Sequence, residues 1–220
     1  MPDEPYLGPI YLESHWLTSG NPVEMERFLG EAGSPRRWQL FACACCWRIL
    51  PLLVDEPSRQ AVSLAERQAE GGLSHDEARE AGNAAITGAL QIWQQDCRVV
   101  LFAAAMAAAH TLLFPRRAFI NAARATGQNE PVEREAQAGL LRELFGNPFR
   151  PCHVEPAWRT PTVLALAQHI YTREQFDELP VLADALEDAG CDQAYLLAHL
   201  RQPTGHLRGC WALDAVLDQV

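Results

Sequence analysis

The sequence predicts an all-α protein, a multi-helix bundle of eight or more helices forming one domain over residues 1–220. Three observations predict it. Apolar residues recur at helical spacing through most of the chain. No run shows the clean alternation of a half-buried strand, and capping residues, prolines and glycines mark off helix-length segments throughout. With 220 residues, 48% of them hydrophobic, the chain can bury a sizeable core without staples.

Each element has its own signal. Asn21-Pro22-Val23-Glu24 reads as a helix start, with a capping amide, proline at the first helical position and an acid in the first turn. That short helix ends at Gly30 or Gly33. Ser34-Pro35 opens the next, where Leu40, Cys43, Trp47 and Leu50 fall on one face until Pro51 intervenes. A third runs from Asp55 to Glu70 and closes at Gly71-Gly72. Ser74-His75-Asp76-Glu77 has the form of a capping box and opens a long helical region towards Phe114, expected to break near Gln94–Cys97. Pro115 starts a helix reaching Arg124. Residues 126–131 are the most linker-like segment, so a boundary between two lobes would fall there. Val132–Phe145 is helical and stops at Gly146, before a proline-rich extended loop over Asn147–Trp158. Thr160-Pro161 caps a helix to Tyr171, Pro180–Ala189 forms another, and Asp192–Arg201 and His206–Leu217 are the last two.

Composition removes several function classes. All 18 basic residues are arginine, which excludes Schiff-base, P-loop and kinase-type lysine chemistry. A formal net charge of -10 disfavours general binding to nucleic acid or anionic membranes, so the expected partner is another protein. The longest apolar run, Val99–Phe114, is short for a bilayer span and fits a buried core helix. Met1–Gly20 is acidic and broken by prolines, unlike a signal peptide. Seven cysteines, two of them adjacent, suit reduced thiols better than a disulfide framework, and the expected location is cytoplasmic.

The thiols and imidazoles are the residues that could carry chemistry. Cys43 and Cys46 stand three apart on a helix, so both sulfurs lean to one side. His206 and Cys210 stand four apart near the start of the last helix. Brought together, the two pairs would make a closed Cys3His zinc site of the structural kind, with Cys45, Cys191 and His199 as spare ligands. Cysteine also fills helix cores as a small apolar group, and that reading is favoured here because the two-knuckle spacing of dependable zinc motifs is missing. The sequence therefore requires no cofactor, a structural zinc being the alternative. Catalytic motifs are lacking: there is no nucleophile elbow, dinucleotide loop or His-Glu-Xaa-Xaa-His. His110 reads as a hydrogen-bonded core residue, and Cys152-His153 as a weak loop pair.

Arg201-Gln202-Pro203-Thr204-Gly205-His206 resembles the short Arg/His motif of HEPN-type ribonucleases. There Arg201 would hold the scissile phosphate and His206 would move the proton of a ribose 2′-hydroxyl. Pro203 and Gly205 interrupt the helix between them, so this is the second reading. Four further blocks, Leu40–Cys46, Phe145–Pro151, Leu182–Cys191 and His206–Trp211, together resemble an uncharacterised helical family abundant in planctomycete bacteria of the Gemmata type. Pro180–Leu200 is also loosely similar to short helical modules of those genomes, with Ala185 where they carry Trp. Trp47 and Leu200 stand where Arg and Cys are expected in the family. The likeness implies a bacterial, cytoplasmic setting and adds no activity. The expected role is a non-catalytic protein-interaction or scaffolding module whose core joins the cysteine helix to the C-terminal helix.

Overall fold

A computed structural model describes residues 12–30, 33–96 and 98–219. Among them are twelve α-helices and no strand. They are α1 (Glu13–Thr18), α2 (Pro22–Leu29), α3 (Pro35–Arg48), α4 (Glu56–Ala69), α5 (His75–Asp96), α6 (Val99–Leu113), α7 (Pro115–Ala125), α8 (Glu130–Phe145), α9 (Pro161–Arg173), α10 (Leu179–Asp188), α11 (Ala194–Leu200) and α12 (Trp211–Leu217). No helix of the described residues is long and apolar enough to cross a membrane.

The caps form where the sequence places them. The side chains of Asn21, Ser34, Asp55 and Thr160 accept from the backbone N–H groups of Val23, Arg37, Ser58 and Val163. Ser74 and Glu77 bond each other reciprocally, Glu77 Oε2 accepting from Ser74 N at 2.9 Å. Each pairing satisfies a backbone donor that the first helical turn leaves without a carbonyl. The long region breaks between Asp96 and Val99, with Cys97 outside the described residues.

Two hydrophobic cores result. The first is drawn from α1 to α8 and centres on α6, which packs against α3, α4, α5 and α7. Ala103, Ala104, Ala105, Ala107, Ala108 and Ala109 are all buried, so α6 has no polar face and its small side chains let neighbours approach from several sides. Phe41 and Phe119, with ring centroids 5.5 Å apart, and Trp38 against Phe145 at 4.6 Å fill the remaining volume. The second core joins α9 to α12 through Ile170, Leu179, Leu182, Leu186, Leu196, Leu200 and Leu213.

The change of core falls across residues 145–154, after α8. Residues 126–131, expected as the lobe boundary, lie within the first core's part of the chain: a 3-10 turn over Gly127–Asn129 leads straight into α8, which accepts Pro131 in its first turn. Nor does a single core join the cysteine helix to the C-terminal helix. α3 belongs to the first core and α12 to the second. They meet through Arg36, whose Nη1 donates to the fully buried Asp214 at 2.6 Å. Its Nη2 also reaches Glu70, Tyr171 and Gln219.

Two differences from the sequence reading bear on the site. Helix α1 is unforeseen. It is too short to persist alone and is held by tertiary contacts: Trp16 is fully buried and its Nε1 donates to the Gly146 carbonyl at 2.8 Å. The last helix starts at Trp211 and not at His206. Gly205 and Gly209 take φ of +98° and +86°, which ends any helical run through them. Gly209 also lies so close to α3 and α8 that a Cβ there would sit 2.6 Å from Leu40 Cδ1 and 2.9 Å from Leu144 Cδ2.

Candidate metal centre

The close approach at Gly209 presses the 201–210 loop onto the end of α8. His206 thereby faces Glu143, and Cys210, the residue before α12, lies beneath it. From the other side α11 contributes His199. Glu143, His199, His206 and Cys210 each offer one donor atom, and all these atoms lie within 4.8 Å of one another. Glu143 Oε1 is 3.0 Å from His206 Nδ1, and Glu143 Oε2 is 3.3 Å from His199 Nε2. Cys210 Sγ lies 3.3 Å from His199 Nε2 and 3.8 Å from His206 Nδ1. The Trp211 ring covers His199 at 4.8 Å between centroids, and Tyr195 stacks on Trp211.

The group is shielded from solvent. Cys210 is fully buried, Glu143 and His199 are each 9% exposed, and the His206 side chain is 2% exposed. Burial pushes the Glu143 carboxyl up, but bonds from His199 and His206 outweigh it and hold the carboxyl below its ordinary value. Burial likewise pushes the His206 imidazole down, and the Glu143 carboxylate more than reverses this. The Cys210 thiol is driven up by burial and then by the Glu143 charge. His206 Nε2 lies 3.0 Å from the Gln202 carbonyl, which can only accept, so that nitrogen carries a proton. In the neutral ring the lone pair is therefore on Nδ1, facing Glu143 and Cys210.

The predicted ligands are thus divided. His206 and Cys210 come together, though through a loop and not along one helix face. Cys43 and Cys46 do not join them. The face of α3 that shares a hollow with His206 carries Leu40, Ala44 and Trp47. Cys43 is turned instead to α4, its Sγ 3.8 Å from the Val62 carbonyl. Cys43, Cys45 and Cys46 sit in the first core, where burial pushes all three thiols up. A closed Cys3His site is replaced by a Glu-His-His-Cys group. Of its members the spare ligand His199 was anticipated and Glu143 was not.

The remaining candidates have other surroundings. Arg201 is committed to Asp184 and Glu187 on α10, at 2.8 and 2.6 Å. His206 bonds Glu143 and lines the hollow it shares with α3, and Arg201 is not among the residues lining that hollow. His110 Nδ1 lies 3.1 Å from the Asn121 amide nitrogen, so the expected hydrogen bond is present, but the ring is half-buried at the margin and not a core residue. Cys152 and His153 line a separate hollow of about 430 Å3 with Arg37, Arg159 and Trp211.

Comparison with known proteins finds no matching family model, no matching curated protein and no matching solved structure. The class of protein is defined by the fold alone: an all-α, multi-helix protein, in which a group of side chains that could hold a metal ion lies at the junction of its two cores.

Proposed function

We propose that the chain is a non-catalytic, cytoplasmic protein-interaction or scaffolding module. The observation that carries this reading is an open apolar hollow on the first core. It lies between the turn after α3, the start of α6 and the start of α8. Ile49, Pro51, Leu52, Val100, Ala125 and Val132 line it together with Thr126, Asn129 and the Arg48–Glu133 ion pair. Val132 is 67% exposed and Val100 is 36% exposed, while Leu50 and Val54 stand exposed on the same turn. Apolar side chains gathered in a surface hollow suit a protein partner. The all-arginine, acidic composition fits such a partner better than nucleic acid, and the planctomycete likeness supplies the cytoplasmic setting.

The test is cross-linking of the native chain in its source cells, compared with Val100→Asp/Val132→Asp. Both positions are exposed, so helical circular dichroism should be unchanged. Loss of the partner cross-links in the double variant is the expected result. Cross-links of unchanged yield and position would contradict the assignment, as would RNA cleavage that His206→Ala abolishes without loss of fold.

A further inference from the structure

We propose that Glu143, His199, His206 and Cys210 bind a single Zn(II) ion in a closed tetrahedral site that ties α8 to α11 and α12. Zinc bonds of about 2.0–2.3 Å place neighbouring tetrahedral donors roughly 3.3–3.7 Å apart. His206 Nδ1 and His199 Nε2 lie 3.0 and 3.3 Å from the two different oxygens of Glu143, and Cys210 Sγ lies 3.8 and 3.3 Å from the same two nitrogens. With one carboxylate oxygen as ligand all four donors stay within 4.8 Å of one another. Side-chain rotations that draw the four donors, now within 4.8 Å of one another, into that range would complete the site.

Charge and donor chemistry agree. An anionic Glu143 and an anionic Cys210 with two neutral imidazoles balance a divalent cation, leaving no net charge in a buried place. Two imidazole nitrogens, one thiolate and one carboxylate suit a borderline-soft ion and not calcium or magnesium, which take oxygen ligands. The Gln202 carbonyl already orients His206 through its other nitrogen, the outer hydrogen bond that metal-bound histidines typically make. Four protein ligands and little exposure leave no position for a reacting water, so the ion is structural. It would also explain why a carboxylate, two histidines and a cysteine are gathered in an otherwise apolar junction.

The full chain, prepared with no metal-carrying tag and stripped with chelator, is titrated with Co(II) and then Zn(II). The expected result is one cobalt per chain, with tetrahedral visible bands and a thiolate-to-cobalt charge-transfer band, displaced by zinc. Cys210→Ser should lose the charge-transfer band. Cys43→Ser and Cys46→Ser, which remove thiols outside the group, should keep it. Wild-type protein that binds no stoichiometric cobalt, or binds it without a thiolate band, overturns the proposal. A band that survives Cys210→Ser, or that disappears in folded Cys43→Ser, overturns it too. Should Cys210→Ser fail to fold, wild-type stoichiometry and the spectrum of His199→Gln decide: an unchanged band and affinity in His199→Gln counts against the site.

Discussion

Two polar junctions fasten the last four helices to the first eight, and they are built from different chemistry. At the first, Arg36 spreads one guanidinium over Asp214, Glu70, Tyr171 and Gln219. Its charge is permanent, so this junction can only be made or broken. At the second, Glu143, His199, His206 and Cys210 are groups that can each release a proton and accept a metal. Similar burial therefore yields a fixed ion-pair clamp in one place and a candidate binding site in the other. What separates them is whether donor lone pairs converge on a point or each oxygen is already taken by the same cation.

The comparison can be broken most severely at the clamp. Asp214→Ala leaves Arg36 partly buried without its principal counter-ion; the two side chains are 16% and 0% exposed. A loss of about 3–5 kcal/mol is expected in urea or guanidinium unfolding, and added zinc should not restore it. At the second junction the sign should be opposite, a bound metal adding stability. With free zinc about 100-fold above the dissociation constant, wild-type protein should gain about 2.7 kcal/mol, and Cys210→Ser should gain nothing.

The α3 thiols supply the contrast to Cys210. Cys46→Ser places a hydroxyl in a fully buried, apolar site and should cost about 1–3 kcal/mol with or without zinc. Alkaline pH tests the same environment. Burial raises the Cys43, Cys45 and Cys46 thiols, and burial followed by the bond to Glu70 pushes Tyr171 up to about 12. An unfolded thiol titrates near pH 8.5. Above that value the unfolded chain releases protons that the folded state keeps, so stability should fall as pH rises, read as a declining urea midpoint between about pH 8 and pH 10. The smallest effect belongs to Arg201. Its pairs with Asp184 and Glu187 are exposed and screened by water, so Arg201→Ala should leave the urea midpoint and metal binding essentially unchanged.

Much of the fold was legible because its signals are local. Asn21, Ser34, Asp55, Ser74 and Thr160 mark helix starts through bonds made within three residues of themselves. The break before Val99 follows from the length of the helical run, and the alanine-rich core helix from composition. Helix α1 was hidden because its stability comes from Trp16 reaching a carbonyl 130 residues away. The site was only half legible for the same reason. His206 and Cys210 announced themselves by spacing, although Gly205 and Gly209 bring them together as a loop. Glu143 lies near the end of an ordinary amphipathic helix, where one more acid looks like a solvated face, and nothing local ties it to His199. Cys43 and Cys46 had the better helical spacing of the two pairs, but their side of α3 faces hydrocarbon.

The most direct measurement is zinc-edge X-ray absorption on the zinc-loaded full chain. The Glu143–His199–His206–Cys210 centre requires a first shell of one sulfur at about 2.3 Å and three nitrogen or oxygen neighbours at about 2.0–2.2 Å, with imidazole scattering beyond them. A shell with two or more sulfurs would return the α3 cysteines to the site, and a shell without sulfur would remove Cys210; either contradicts the Glu143–His199–His206–Cys210 centre.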